Sequence, residues 1–391
     1  MPRIVISTCK TSKPTESEIM VSTRYTLYGV EGSYYAAKAR SYLLQKPLPF
    51  DEIRVDRQVY EKVLRKIIGF PIVPVVVTPG KEAIQDTAIL IEALDRRHPE
   101  NPLIPTTPKR RFAAYLLELF ADEWLKIPAL HYRWHYDATF AKQMMGENND
   151  PNASKEKQLR VGEKIASRFS TWPKHLGVDN NTQHAVELSL LEHLSILDAH
   201  FAIHEYALGA SPSLADCALM GPLYPHLFRD PYSGIIVRDS APNLCQWIQR
   251  MRKARAPGQM AESQADEVPT GIIEFLRAIT TDYLPMALKA ARTTQTWLLH
   301  HRNEELPRYL GEQPFTLGIG KPYEAHGTRS VHTVEQWKIQ RVINKYQAAP
   351  TTEKQVISAF FQELGLVDFL TINCEVPIEY KKFKFHAGKS N

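Results

Sequence analysis

The stretch Tyr25-Thr-Leu-Tyr-Gly-Val-Glu-Gly-Ser-Tyr-Tyr-Ala-Ala-Lys-Ala-Arg40 predicts a strand, a tight turn and the start of a helix. Its first four residues are β-prone, and Gly29 and Gly32 end that run. Ser33 then stands where a helix N-cap is expected, because its side-chain oxygen can accept from the first free backbone N–H groups. A helix is predicted over 34–45, and the prolines that follow end it.

The segments after this helix extend the pattern. Residues 50–55 alternate apolar and charged side chains, as a half-buried strand does. Residues 73–77 form a short apolar run that contains a proline, and residues 85–94 combine an Asp/Thr start with an Ile/Leu stripe. The predicted order is therefore β-α-β, a variable segment, then β, turn and α.

Three separate marks in this region resemble the thioredoxin-like N-terminal domain of the glutathione S-transferase superfamily. Ser33 to Arg40 looks like the family's Ser/Cys-Pro-x-x-x-Lys/Arg-x-Arg segment, although Tyr34 stands where the family often has proline. Val73-Pro74 matches the family's Val-Pro with a cis bond. Asp86-Thr87 matches its Glu/Asp-Ser/Thr pair. The resemblance implies an α/β thioredoxin-like domain followed by an all-α C-terminal domain.

At 391 residues the chain is long enough for two or three domains. We expect a flexible tail over 1–22, a thioredoxin-like glutathione-binding domain over 23–104, and a semi-rigid proline-rich linker. An all-helical domain is expected over 109–255, and a mainly helical extension of unknown role over 256–391. The chain resembles a subgroup of long glutathione-transferase-like proteins that share this extension and the motif Asp-Glu-Trp-Leu…His-Tyr-Arg-Trp.

Local signals predict further details of the helical parts. Ser213 and Asp216 have the spacing of a capping box, so Asp216 is expected to cap a helix rather than act as an acid. Pro128 and Pro285 are expected to interrupt helices. Residues 146–157 are polar and indicate a surface loop, and the basic C-terminal residues are expected to be loose.

Composition excludes several classes of protein. A net charge of +5 with only short basic runs argues against nucleic-acid binding. The four cysteines are far apart, which argues against a disulfide framework or a metal site and favours a reducing, cytoplasmic compartment. No apolar run is long enough to cross a membrane, and the first 22 residues lack a secretion-signal core.

The resemblance makes Ser33 the candidate catalytic residue. An unperturbed thiol has a pKa of about 8.5, so little glutathione is thiolate at neutral pH. A hydroxyl donor and a helix N-terminus can each stabilise the anion by about 0.5 to 3 kcal/mol. A hydroxyl of Tyr28, Tyr34 or Tyr35 is an alternative, and Glu31 opposes a thiolate unless it points away.

The remaining glutathione contacts are also implied by resemblance. The backbone of Val73, presented by a cis bond to Pro74, pairs with the cysteinyl part of glutathione. Asp86 and Thr87, with possible help from Gln85, hold the γ-glutamyl group. Three basic residues of the variable segment are open candidates for the glycine carboxylate: Lys62, Arg65 and Lys66. A possible second-substrate pocket contains Tyr34, Tyr115, Trp124, His131, Arg133 and Trp134.

Three functions stay open at this stage. The first is a Ser-type glutathione transferase that acts on a small hydrophobic electrophile, with glutathione as co-substrate and no metal. The second is a non-catalytic binding or assembly protein whose extension holds a partner. The third is glutathione-dependent cleavage of ethers or halides. The resemblance also implies a homodimer, whose usual interface the extension could block or replace.

Overall fold

The computed structural model describes residues 23–255, 265–372 and 374–389, so the predicted flexible tail over 1–22 lies outside the described residues. Three regions follow one another along the chain: an α/β domain, a helical domain and a C-terminal extension. Within the described ranges, no helix combines the length and the apolar character that crossing a membrane requires.

The N-terminal domain has the predicted thioredoxin-like order, with one additional strand. Its elements are β1 (Tyr25–Gly29), α1 (Tyr34–Gln45), β2 (Phe50–Arg54), the short helices α2 (Arg57–Val59) and α3 (Arg65–Ile67) around a π-helical turn (Tyr60–Leu64), β3 (Val75–Val77), β4 (Ala83–Gln85) and α4 (Thr87–Arg97). The sheet order is β2-β1-β3-β4, with β1 parallel to β2 and antiparallel to β3. The helix predicted over 85–94 begins two residues later, because Gln85 ends β4 and Asp86 is the N-cap of α4.

The second domain is all-helical, as predicted. Its helices are α5 (Pro108–Glu123), α6 (Lys126–His135), α7 (Ala138–Asn149), α8 (Lys155–Ala166), α9 (Trp172–His175), α10 (Gln183–Phe201), α11 (Leu214–Pro222), a π-helical turn (Leu223–Phe228), α12 (Pro231–Ser240) and α13 (Pro242–Met251). The predicted loop over 146–157 is wrong at both ends, because α7 runs to Asn149 and α8 begins at Lys155.

One proline signal and one capping signal in this domain are confirmed. The break between α5 and α6 comes at Trp124, four residues before Pro128, because proline has no N–H for that carbonyl. The Ser213–Asp216 capping box is present, and buried Asp216 also accepts from the indole Nε1 of Trp247 at 2.9 Å. Asp216 is therefore a structural residue.

The extension is folded and mostly helical. It contains α14 (Thr270–His300), β5 (Tyr309–Leu317), β6 (Ala325–His332), α15 (Thr333–Ala348), α16 (Thr351–Glu363), a 3₁₀ turn (Val367–Thr371), β7 (Ile378–Lys381) and β8 (Lys384–Ala387). Two predictions are wrong here. Helix α14 continues through Pro285, held by a buried face that includes Phe275 and Tyr283, and the basic C-terminal segment forms the β7–β8 hairpin.

The extension packs directly on the first two domains. Phe361 of α16 meets Phe112 of α5 edge to face, with ring centroids 5.9 Å apart. Trp337 of α15 and Ile378 of β7 share an apolar cluster with Ala88 of α4. The helices that follow the sheet are thus covered by the C-terminal part of the same chain.

Buried His193 of α10 gives the fold a pH-dependent stability. Its ring packs edge to face on Phe275 of α14, and burial lowers its pKa to about 4. The unfolded chain takes up this proton near pH 6.5 and the folded chain does not, so the free energy of unfolding falls as the pH drops below about 6.5. Between pH 7.5 and 5, this group alone is expected to cost about 2 kcal/mol.

Comparing His193→Gln with the parent protein by denaturant unfolding at both pH values measures this contribution. We expect the variant to lose about 2 kcal/mol less stability on acidification. His135→Gln, at an exposed position on α6, is the control and should keep the parent's pH dependence. Equal losses for His193→Gln and the parent would show that His193 does not contribute.

Candidate functional site

One end of the central sheet brings together the predicted glutathione-binding residues. Tyr28 of β1 pairs with Val75 of β3, and Val75 pairs with Gln85 of β4. The end of β1, the start of β3 and the end of β4 therefore lie side by side. The segments that carry Ser33, Val73 and Asp86 all leave the sheet at this end.

Ser33 caps helix α1 and keeps its hydroxyl proton available. Its Oγ accepts from the N–H of Ala36 at 3.3 Å, which uses a lone pair and leaves the O–H free to donate. Within the described residues, no acceptor takes that proton. The capping role and a role toward an anion thus use different parts of one hydroxyl group.

The hydroxyls of Tyr34 and Tyr35 are engaged by helix α5. Tyr34 donates to the carbonyl of Ala121, and Tyr35 lies 3.4 Å from the carbonyl of Asp122, both on α5. Burial raises the pKa of both phenols. Tyr28 is half-buried against a small apolar cluster that includes Leu64, and burial raises its pKa as well. Ser33 therefore keeps a hydroxyl proton that Tyr34 and Tyr35 direct to α5.

Val73 precedes a cis peptide bond to Pro74, as the family resemblance implies. Strand β3 lies between β1 and β4, so Val73 is not on an edge strand but just beyond the paired part of the sheet. In the described part of the chain, neither its N–H nor its C=O takes part in a hydrogen bond. A peptide-like ligand would find one donor and one acceptor there.

Asp86 and Thr87 form the start of α4. The Asp86 carboxylate accepts from the N–H groups of Ala88 and Ile89 at 2.9 and 3.3 Å. Asp86 has a φ of 76°, in the left-handed region that non-glycine residues rarely adopt and that is often found at functional sites. The N–H of Thr87 has no partner among the described residues, so it can receive an anionic group at the helix N-terminus.

The extension contacts this site, which was not predicted. The hydroxyl of Tyr380, on β7, contacts Oε1 of Gln85 and lies 3.1 Å from the Gln85 carbonyl oxygen. Lys338 of α15 stands over the ring of Tyr35, with Nζ 5.3 Å from the centroid. A spacing of three and four residues puts Lys338, Arg341 and Lys345 on one face of a helix. This basic face was the sequence signal that could have indicated a contact between the extension and the site.

A buried charge network lies directly behind the site. Lys338 Nζ is 3.0 Å from Asp122 and 2.9 Å from Glu123, and Lys38 of α1 is 2.8 Å from Asp122 and from Glu118. Burial by itself lowers the pKa of Lys338, but Asp122 and Glu123 outweigh it and raise the pKa well above its usual value. The network joins α1, α5 and α15.

Two further contacts fix the turn that carries Ser33. Glu31 accepts from the hydroxyl of Tyr224 and lies 3.5 Å from Arg40, so these two partners balance its charge. Arg133 donates to the carbonyl of Gly32 at 2.9 Å and forms a bidentate pair with buried Asp230 at 2.6 and 2.9 Å. Arg133 therefore anchors the residue before Ser33 to the helical domain.

The other residues of the predicted second-substrate pocket have partners inside the protein. Trp124 packs on Tyr283 of the extension, and Tyr115 packs on Phe112. His131 is 2.8 Å from Glu187, and burial lowers its pKa. Trp134 differs, since it is half-buried and its indole N–H has no partner among the described residues. Tyr115, Trp124 and His131 are thus engaged by neighbouring residues of the protein.

The three basic candidates for the glycine carboxylate lie on the surface of the variable segment. Lys62, Arg65 and Lys66 are exposed on the π-helical turn and α3, where no contact distinguishes one from the others. Among the residues that the structure describes, no group of three or more His, Cys, Asp or Glu side chains is arranged to hold a metal ion.

Comparison with known structures finds several proteins that are similar to part of this chain. The similar structures include beta-etherase LigF from Sphingobium sp. strain SYK-6, which is 19% identical and covers 59% of this chain and 95% of that chain, with a TM-score of 0.44. A glutathione S-transferase from Rhodospirillum rubrum F11 is 16% identical, and the match covers 64% of this chain and 99% of that chain, with a TM-score of 0.39. A glutathione S-transferase from Methylobacillus flagellatus KT with GSH bound is 23% identical, and the match covers 59% of this chain and 96% of that chain, with a TM-score of 0.36.

Comparison with family models identifies both domains. The model described as the glutathione S-transferase N-terminal domain matches residues 27–102, and that of the C-terminal domain matches residues 152–254. A search of curated proteins finds no match. The two matches follow one another in the order of the two described domains, and these two domains thus belong to the glutathione S-transferase superfamily, while neither match includes the extension that follows them.

Proposed function

We propose that this protein binds glutathione at the end of the sheet and activates its thiol for attack on a small hydrophobic electrophile. One observation carries the proposal: free hydrogen-bonding groups converge at this place. They are the hydroxyl proton of Ser33, both backbone groups of Val73 and the N–H of Thr87. Together they match a thiol, a peptide backbone and a carboxylate.

In this proposal, each part of glutathione meets its own group. The cysteinyl backbone pairs with Val73 as an added strand would. The γ-glutamyl carboxylate meets the N–H of Thr87, and its amino group meets the carboxylate of Asp86. The thiol lies beside Ser33 and the positive end of α1, which together lower its pKa by about one to two units.

The chemical step is a displacement or an addition. With a chloronitrobenzene, the thiolate sulfur forms a bond to the ring carbon, and chloride leaves with the electron pair of the broken carbon–chlorine bond. The thiol proton has already passed to solvent. Ser33 donates a hydrogen bond to the sulfur before attack and does not itself form a covalent bond.

A second candidate function is glutathione binding without turnover. The observation that favours it is the commitment of Tyr115, Trp124, His131 and Arg133 to partners inside the protein. In this version the extension holds a partner, and the electrophile has no dedicated pocket.

The experiment that tests the proposal titrates glutathione by calorimetry and follows bound thiolate by ultraviolet absorbance against pH. We expect Ser33→Ala to bind glutathione within about threefold of the parent but to raise the thiol pKa by about one unit, since the α1 N-terminus remains, which reduces turnover at pH 6.5 by up to about tenfold. Ser154→Ala is a matched control, because Ser154 caps α8 with the same 3.3 Å contact.

Asp86→Asn tests the γ-glutamyl contact with the same titration. Asparagine also tolerates positive φ and caps helices, so the variant removes mainly a charge. We expect its glutathione affinity to fall about tenfold or more. Absence of binding by the parent at millimolar glutathione would overturn the proposal. Binding without turnover on a panel of electrophiles would favour the second candidate.

A further inference from the structure

We propose that the C-terminal extension completes the glutathione site, with Tyr380 as a positioning residue that acts through Gln85. The inference rests on the glutathione-binding function proposed above and assigns a role to a region that the two matched domains do not include. It names the part of the ligand that is affected, the γ-glutamyl group.

The first support is the contact between Tyr380 and Gln85. The Tyr380 hydroxyl meets both the side-chain Oε1 and the backbone carbonyl of Gln85, so it holds both parts of the residue that precedes Asp86. No described hydrogen bond uses the Gln85 Nε2 group. Because Oε1 is held by the hydroxyl, the N–H donors of that amide remain available to an acceptor at the mouth of α4.

The second support is the rigidity of the Tyr380 ring. It packs against Phe385 of the paired strand β8 at 5.0 Å and against Trp337 of α15 at 6.3 Å between centroids. Trp337 and Ile378 belong to the apolar cluster that also contains Ala88 of α4. The hydroxyl is therefore presented to Gln85 by a hairpin that is packed on the same helix whose N-terminus forms the site.

The third support is the charge that the extension brings to this place. Lys338 and Arg341 project from α15 toward α4 and α5, where Arg341 lies 2.6 Å from Glu92. The carboxylate of Asp86 contributes, after larger effects, to the raised pKa of both cations. These two cations are paired with carboxylates of α4 and α5, so they tie α15 to the helix whose N-terminus, at Thr87, would receive the γ-glutamyl carboxylate.

A double-mutant cycle on glutathione affinity tests the inference. Tyr380→Phe removes only the hydroxyl, and we expect the dissociation constant of glutathione to rise about five- to twentyfold. Gln85→Ala should weaken binding by a similar factor. If Tyr380 acts through the Gln85 side chain, the double variant should lose clearly less affinity than the product of the two single losses, because Gln85→Ala leaves only the backbone carbonyl contact for Tyr380→Phe to remove.

Tyr346→Phe is the matched control. Its hydroxyl also makes a hydrogen bond within the extension, to Ser358 at 2.9 Å, but does not contact the N-terminal domain. We expect Tyr346→Phe to leave glutathione affinity unchanged and to have a melting temperature close to that of Tyr380→Phe. This separates a local effect on the site from general loosening of the extension.

The outcomes separate the two proposals. Independent, multiplying losses in the cycle, an unchanged affinity of Tyr380→Phe, or an equal loss in Tyr346→Phe would each overturn this inference while leaving glutathione binding in place. Absence of glutathione binding by the parent protein would instead overturn the proposed function, and this inference with it.

Discussion

Replacing Lys338 by methionine is expected to destabilise the protein by about 1 to 3 kcal/mol, because two buried carboxylates each lose one of their two cations. Lys338 is only 6% exposed and pairs with both Asp122 and Glu123, which are almost fully buried. Asp122 still pairs with Lys38, and Glu123 still pairs with Lys126. Neither carboxylate therefore becomes an isolated charge, but each keeps only part of its compensation. Denaturant unfolding of the purified protein measures the effect.

Lys345→Met, three and a half turns from the start of the same helix, is the control. Lys345 makes one ion pair, 3.4 Å from Glu92, and is 40% exposed. Exposed pairs of this kind contribute about 0 to 1 kcal/mol, so this variant should unfold close to the parent. If both variants unfolded at the same denaturant concentration, the buried network would not contribute to the attachment of α15.

Arg133→Met is expected to cost about 3 to 5 kcal/mol of stability, because Asp230 is fully buried and loses its bidentate partner. It also releases the carbonyl of Gly32, the residue before Ser33. We therefore expect a second, separate effect, a raised pKa of the bound glutathione thiol. Calorimetric unfolding and the thiolate titration measure the two effects.

A double variant, Arg133→Met with Asp230→Asn, distinguishes pairing from packing. Removing the charge of the partner should recover about 0.5 to 3 kcal/mol relative to the sum of the single changes. The Gly32 contact stays broken in the double variant, so the thiol pKa should remain raised. If stability does not recover, the loss in Arg133→Met comes from packing rather than from the unpaired carboxylate.

The parts of the site that were predicted correctly depend on local chemistry. Ser33 as an N-cap and the Ser213–Asp216 capping box each involve residues within a few positions of one another, whereas the cis bond before Pro74 was expected only from the family resemblance. Such contacts recur wherever the same residues occur at the same spacing. The order of the thioredoxin-like elements follows from the same kind of signal.

The parts that were missed depend on contacts between distant segments. Arg133 and Trp124 look like pocket residues beside their neighbours in sequence, yet their partners lie about 100 residues or more away, in Asp230 and Tyr283. Pro285 predicts a helix break, but the burial of the surrounding face outweighs that local preference. The contact of Tyr380 with Gln85 spans 295 residues, and no local pattern indicates it.

The packing of β7 and α15 against α4 has a consequence for how the protein responds to dilution. A part of a binding site that is supplied by a separate subunit is lost when the protein concentration falls below the dissociation constant of the two subunits. A part supplied by the same chain has a fixed effective concentration. Affinity for glutathione should therefore be the same at nanomolar and micromolar protein. In this protein the peptide chain itself keeps the two sides of the site together.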